Sequence, residues 1–121
     1  MRILVVEDDV FFQKFYSSKL MEAGHTVEIA VNGEDGLSKM RSFKPQLVLL
    51  DLIMPVKDGF EVLKEWKADP VLHTIPVFVF STLSQKEEVI EAQKMGVRGY
   101  INKGMVDFDK TLAKITAFAA Q

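Results

Sequence analysis

The chain contains no cysteine, which excludes a disulfide framework and leaves no thiolate for zinc, copper or an iron–sulfur cluster. No apolar run approaches the roughly 20 residues needed to cross a bilayer. Lysine and arginine form no block that could track a phosphate backbone, and 15 basic against 17 acidic residues give a formal charge of −2, so direct nucleic-acid binding is not expected. Histidine is scarce: His25 precedes a strand and His73 lies in a loop, and both read as solvated rather than catalytic. No charged, then apolar, then small-residue leader precedes the first apolar run, so a cytoplasmic, membrane-free location is expected. Repeats, low-complexity stretches and linkers are absent too. A length of 121 residues suits one domain, 1–121, with no attached output module.

What is present alternates. Ile3 to Val6, Leu47 to Leu50 and Val77 to Phe80 are short unbroken apolar runs, the pattern of strands covered on both faces in a parallel sheet. Val27 to Ala30 and Gly99 to Asn102 are weaker and read as edges. Between them, Phe12, Phe15, Tyr16 and Leu20, then Val62, Leu63 and Trp66, recur near a period of 3.6 and call for helices that cover a sheet. Phe108, Leu112, Ile115 and Phe118 mark the inner face of a last helix. Gly24 and Gly96 stand where left-handed helix caps are wanted, Pro45 breaks the chain before the third strand, and Ser84 with Glu87 forms a capping box for the fourth helix. Five strands alternating with five helices, joined by right-handed crossovers, predict a doubly wound α/β sheet in the order 2-1-3-4-5.

That order places chemistry at one end. Glu7 and Asp8 follow the first strand, Asp51 the third, Ser81 the fourth and Lys103 the fifth. In an open parallel sheet ligands bind outside the carboxyl ends of the strands, and here the winding reverses between strands 1 and 3, which carry Asp8 and Asp51. Three crowded carboxylates repel unless one takes a proton or a cation joins them, and oxygen donors suit a hard divalent ion, Mg²⁺. Asp51 is the expected nucleophile toward phosphorus. Asp8 is expected to ligate the metal directly and Glu7 through water, while Lys103 and the Ser81 hydroxyl reach phosphoryl oxygens. Transfer of this kind is mainly positioning and charge neutralisation, so no separate general base is required. Asp9 reads instead as a helix N-terminal charge.

V-V-E-D-D at 5 to 9, L-V-L-L-D-L-I-M-P at 47 to 55 with Gly59, V-F-V-F-S at 77 to 81 and G-Y-I-N-K at 99 to 103 together resemble the receiver domain of two-component response regulators, which has a flavodoxin-like fold. The resemblance implies that Glu7 and Asp8 are the acidic pair, Asp51 the phosphoacceptor, Ser81 the switch hydroxyl, Tyr100 the switch aromatic and Lys103 the family's lysine. It also implies that the Ile53 carbonyl completes the metal site. The implied donor is a sensor histidine kinase or histidine phosphotransfer protein carrying phosphohistidine. The implied output is a changed helix 4/strand 5/helix 5 face read by a downstream effector protein or domain, with a phosphorylation-dependent homodimer left open. On this reading the chain is a phosphoacceptor switch, not an enzyme beyond its self-catalysed phosphorylation and dephosphorylation.

Two residues depart from the pattern. Gly104 follows Lys103 where receivers commonly have proline, and Thr82 replaces a small residue after the switch hydroxyl. Ile53 and Leu83, both apolar, stand where the family controls water access, so slow self-dephosphorylation is expected. Other functions fit less well. A flavin or nucleotide binder wants a glycine- or hydroxyl-rich loop after strand 1, where Glu7-Asp8-Asp9 repel phosphate. A phosphoaspartate hydrolase wants a second aspartate two residues after the first, where Ile53 stands. A receiver-like module that no longer takes phosphate would not be expected to keep Asp8, Asp51, Ser81 and Lys103.

Overall fold

The computed structural model describes residues 1–52, 54, 56–81, 86–102 and 108–119. Five strands alternate with five α-helices: β1 (Arg2–Val6), α1 (Val10–Glu22), β2 (Thr26–Ala30), α2 (Gly33–Ser42), β3 (Leu47–Leu50), α3 (Gly59–Ala68), β4 (Val77–Ser81), α4 (Lys86–Lys94), β5 (Gly99–Asn102) and α5 (Phe108–Ala119). All four strand pairings are parallel, in the order β2-β1-β3-β4-β5. This topology was legible in the apolar runs, and the two strands read as edges, β2 and β5, are the edges.

The pleat sorts each strand's side chains into two cores. Leu4, Val6, Val48, Leu50, Val77 and Val79 face α2 and α3 residues such as Leu37, Met40, Val62, Leu63 and Trp66. Ile3, Val5, Leu47, Leu49, Phe78, Phe80 and Ile101 face the other way, onto Tyr16 and Leu20 of α1 and Ile115 of α5. Both faces are therefore covered, which is why the central strands carry no polar alternation. Tyr16 and Leu20 are fully buried, whereas Phe12 and Phe15 are half-buried at the rim of that core. The side chains of Phe108 and Leu112, and Ser84 of the capping box, lie outside the described residues.

Local punctuation behaves as its chemistry dictates. Asp9, Asn32 and Asp58 cap α1, α2 and α3 by accepting from the backbone N–H three residues on. Gly24 and Gly96 hold φ of +94° and +97° after α1 and α4, the left-handed region glycine enters without strain. One element was not anticipated: a 3₁₀ turn over Leu72–Thr74. The carboxylate of Asp69 creates it, accepting from Val71 N at 2.8 Å and Leu72 N at 3.0 Å. No helix among the described residues is long and apolar enough to cross a membrane.

Candidate functional site

The sheet's hydrogen-bond ladder does not stop at the strand ends; it runs one rung further and carries the acidic residues with it. Glu7 N donates to Ala30 O at 2.9 Å and Asp51 N to Val6 O at 3.0 Å. Since Val6 is in register with Leu50, Glu7 and Asp51 are neighbours across β1 and β3, at the point where the winding reverses. Carboxylate oxygens of Glu7, Asp8 and Asp51 all lie within 4.8 Å of one another. Glu7 is fully buried and Asp51 is 3% exposed, while Asp8 is exposed. The pocket thus has an inner wall and an open outer lip.

Glu7 is held from several directions. Asp9 N donates to its Oε1 at 3.0 Å, and the Gln13 side chain, one turn into α1, donates from Nε2 to the Glu7 carbonyl at 2.7 Å. Gln13 was not singled out by sequence, although its position one turn from the Asp9 cap is the signal that could have found it. Beneath Glu7, the ring of Tyr16 packs edge-on against Phe80 with centroids 4.9 Å apart. Burial, with the Glu7 charge behind it, pushes the Tyr16 hydroxyl up to about 12.

Under Asp51 the chain turns tightly. Gly59 N donates to Leu52 O at 2.9 Å, and a Cβ on Gly59 would lie 2.5 Å from Asp51 O and 2.6 Å from Leu52 Cα. Only glycine permits that approach, which brings the start of α3 against the strand end that carries Asp51. On the far side, Lys57 bridges to Glu34 at 3.2 Å and to Glu65, tying the loop after β3 to α2 and α3; those two hydrogen-bonded carboxylates raise its ammonium pKa. Val56, beside it, takes φ +71° and is 81% exposed.

The other residues named from sequence are placed unevenly. Ser81 closes β4 in register with Asn102, but its side chain lies outside the described residues, as do Ile53, Lys103, Gly104, Thr82 and Leu83. Tyr100 lies on β5 against the α2/α3 core, its ring half-buried. Its hydroxyl is buried without a hydrogen-bond partner among the described residues, and burial, then the Glu88 charge, raises its pKa. His25 and His73 stay away from the site; His25 Nδ1 meets the N-terminal ammonium at 3.0 Å, and His73 Nδ1 the Asp69 carbonyl at 3.1 Å.

Three hard oxygen donors converging on one point, two of them removed from water, fit a magnesium ion: like charges so placed are stable together when a cation joins them. The match with known proteins decides the family. The response regulator receiver domain profile spans residues 3–116. The chain belongs to that family.

Protein PilH of Pseudomonas aeruginosa is 34% identical over 119 residues, covering 98% of each chain. Among solved structures, the chemotaxis protein CheY4 of Vibrio cholerae superposes with a TM-score of 0.87 at 25% identity, covering 96% of each chain. The Mn²⁺-bound form of response regulator Rcp1 superposes with a TM-score of 0.83 at 31% identity, covering 97% of this receiver and 92% of that chain. The receiver is a two-component signalling domain, and its acidic cluster occupies the sheet's switch point.

Proposed function

We propose that this receiver is one folded phosphoacceptor switch, working in the cytoplasm, in which Asp51 accepts a phosphoryl group from a partner's phosphohistidine with Mg²⁺ held by Glu7, Asp8, Asp51 and the Ile53 carbonyl. The observation that carries this reading is the buried Asp51 carboxylate, 3% exposed, beside the exposed Asp8 and within 4.8 Å of both acidic partners. Burial strips Asp51 of competing water, and the Gly59 contact fixes the backbone from which it reaches outward. A divalent cation there supplies charge neutralisation on the phosphoryl oxygens. An Asp51 oxygen forms the new O–P bond as the donor's N–P bond breaks, and the imidazole leaves with that electron pair. Lys103 and Ser81, at the ends of the neighbouring strands, take the remaining oxygens.

The transferred group adds charge and three acceptor oxygens next to β4 and β5. Ser81 moves toward them and Tyr100, whose buried hydroxyl has no hydrogen-bond partner among the described residues, turns inward, so the α4/β5/α5 face changes for an effector or for a second copy of the chain. The mouth also suits a protein donor. Exposed Val10 and Phe11 follow Asp8 in the chain by two and three residues, and exposed Val31 and Val56 stand on the loops after β2 and β3, at the same end of the sheet. Exposed apolar side chains at that end fit a partner that surrounds its phosphohistidine with apolar side chains.

Incubation with acetyl phosphate and Mg²⁺ tests the reading by intact mass. One added phosphoryl group is expected, absent in Asp51→Asn and without Mg²⁺. An unmodified wild-type chain overturns it. Apolar Ile53 and Leu83 predict slow decay of the acyl phosphate, so Ile53→Asn with Leu83→Glu should quicken its loss; an unchanged rate refutes that part.

A further inference from the structure

At the opposite end of the sheet a cavity of about 470 Å³ opens between the end of α2, the start of β3 and the 3₁₀ turn. Its floor is apolar: Met40 and Leu72 are buried core residues and Ile75 packs against the same core. Val71, 72% exposed, stands on its lip. The four residues of β3 separate it from the acidic mouth by about 13 Å at 3.3 Å per residue, so it is no part of the phosphoryl site.

Two cations line the rim, Arg41 and Lys44. The single carboxylate among the described lining residues, Asp69, is already engaged: it takes the backbone N–H groups of Val71 and Leu72 and the Arg41 guanidinium at 3.2 Å. Those bonds pull its pKa below the usual carboxylate range, the Leu72 N–H contributing most. Lys44 has no ion-pair partner among the described residues. It also sits past the end of α2 with φ +52°, where glycine would be unstrained. Arg2 holds that strained turn by donating from Nε at 3.1 Å and Nη2 at 2.9 Å to the Lys44 carbonyl. A cation is therefore kept on a backbone that prefers glycine, beside an open apolar pocket whose own carboxylate is spoken for.

We infer that this cavity binds a small apolar carboxylate, an alkyl or aryl acid whose hydrocarbon part covers Met40, Leu72 and Ile75 and whose carboxylate meets Lys44 and the free donors of Arg41. A neutral ligand gains the floor but leaves the ammonium unanswered. A cationic one meets a rim of its own sign.

Octanoate titrated into the isotope-labelled full chain, followed through the methyl signals of Met40, Leu72 and Ile75, tests the site. Saturable shifts centred on those three methyls are expected, with octanoate binding about tenfold or more tightly than 1-octanol, a difference set by one ion contact. Lys44→Gly should weaken octanoate about tenfold while raising the urea midpoint, because the substitution relieves the left-handed strain as it removes the charge. A purely structural role for Lys44 would change stability and leave affinity alone. Equal affinity for octanoate and 1-octanol, shifts centred elsewhere, no saturable shift, or unchanged affinity in Lys44→Gly overturns the inference.

Discussion

Replacing Val56 by glycine should stabilise the receiver, although it deletes an entire apolar side chain. Val56 holds φ +71°, a region in which a β-branched residue is an outlier; such positions cost about 1–3 kcal/mol, and branching puts valine in the upper part, about 2.5 kcal/mol. Two terms oppose the gain. Glycine's freedom in the unfolded chain costs about 0.8 kcal/mol. The side chain is 81% exposed, so only a fifth of the roughly 2 kcal/mol for burying a valine is forfeited, about 0.4 kcal/mol. The net is about 1 kcal/mol in favour of the variant. With an unfolding entropy near 2.1 cal/mol/K per residue, that raises the melting midpoint by about 4 °C. Urea denaturation should show a higher midpoint at unchanged slope. Val56→Ala keeps its Cβ and most of the strain, so it should stay well short of glycine. A lower midpoint for Val56→Gly, or alanine matching glycine, refutes the reasoning.

Gly59→Ala should do the reverse: its Cβ would meet backbone atoms of Asp51 and Leu52 at 2.5 and 2.6 Å, costing about 1–3 kcal/mol and weakening Mg²⁺ binding, both read from denaturation and metal titration; normal metal affinity would show that the turn does not position Asp51. For Asp69→Asn, the folded-state pKa lies below the unfolded one, so the wild type's advantage is complete above the unfolded carboxylate range and fades as pH falls through the folded pKa; wild type and variant should differ in urea midpoint at pH 7 and converge as acid protonates Asp69 in the folded state. A difference that persists at low pH would count against the charge. Trp66→Phe loses the bond from Nε1 to Ile75 O at 2.9 Å and should cost about 1 kcal/mol or somewhat more with the lost packing; a neutral result would mean the indole is there only to fill space.

Whatever depends on near neighbours in the chain could be read before folding. Unbroken apolar runs such as Leu47–Leu50 announced strands covered on both faces, and the 3.6-residue spacing of Val62, Leu63 and Trp66 announced the helix that covers one of them. Strand ends are local features too, so Glu7, Asp8 and Asp51 could be named, and topology alone brought them to one crevice. The Asp9 cap and the glycine caps at 24 and 96 followed from single-residue backbone preferences. Three-dimensional arrangement decided the rest. The 3₁₀ turn at Leu72–Thr74 was missed because one carboxylate, Asp69, makes it, with no periodic signal. Lys57 is an ordinary surface lysine until α2 and α3 bring Glu34 and Glu65 to it. The left-handed Val56 and Lys44 contradict their own residue preferences, and only a surrounding structure that outweighs the local penalty can hold them so. Local propensity is a property of a few neighbouring bonds, whereas a cavity, a clamp or a strained turn exists only once distant segments are packed together.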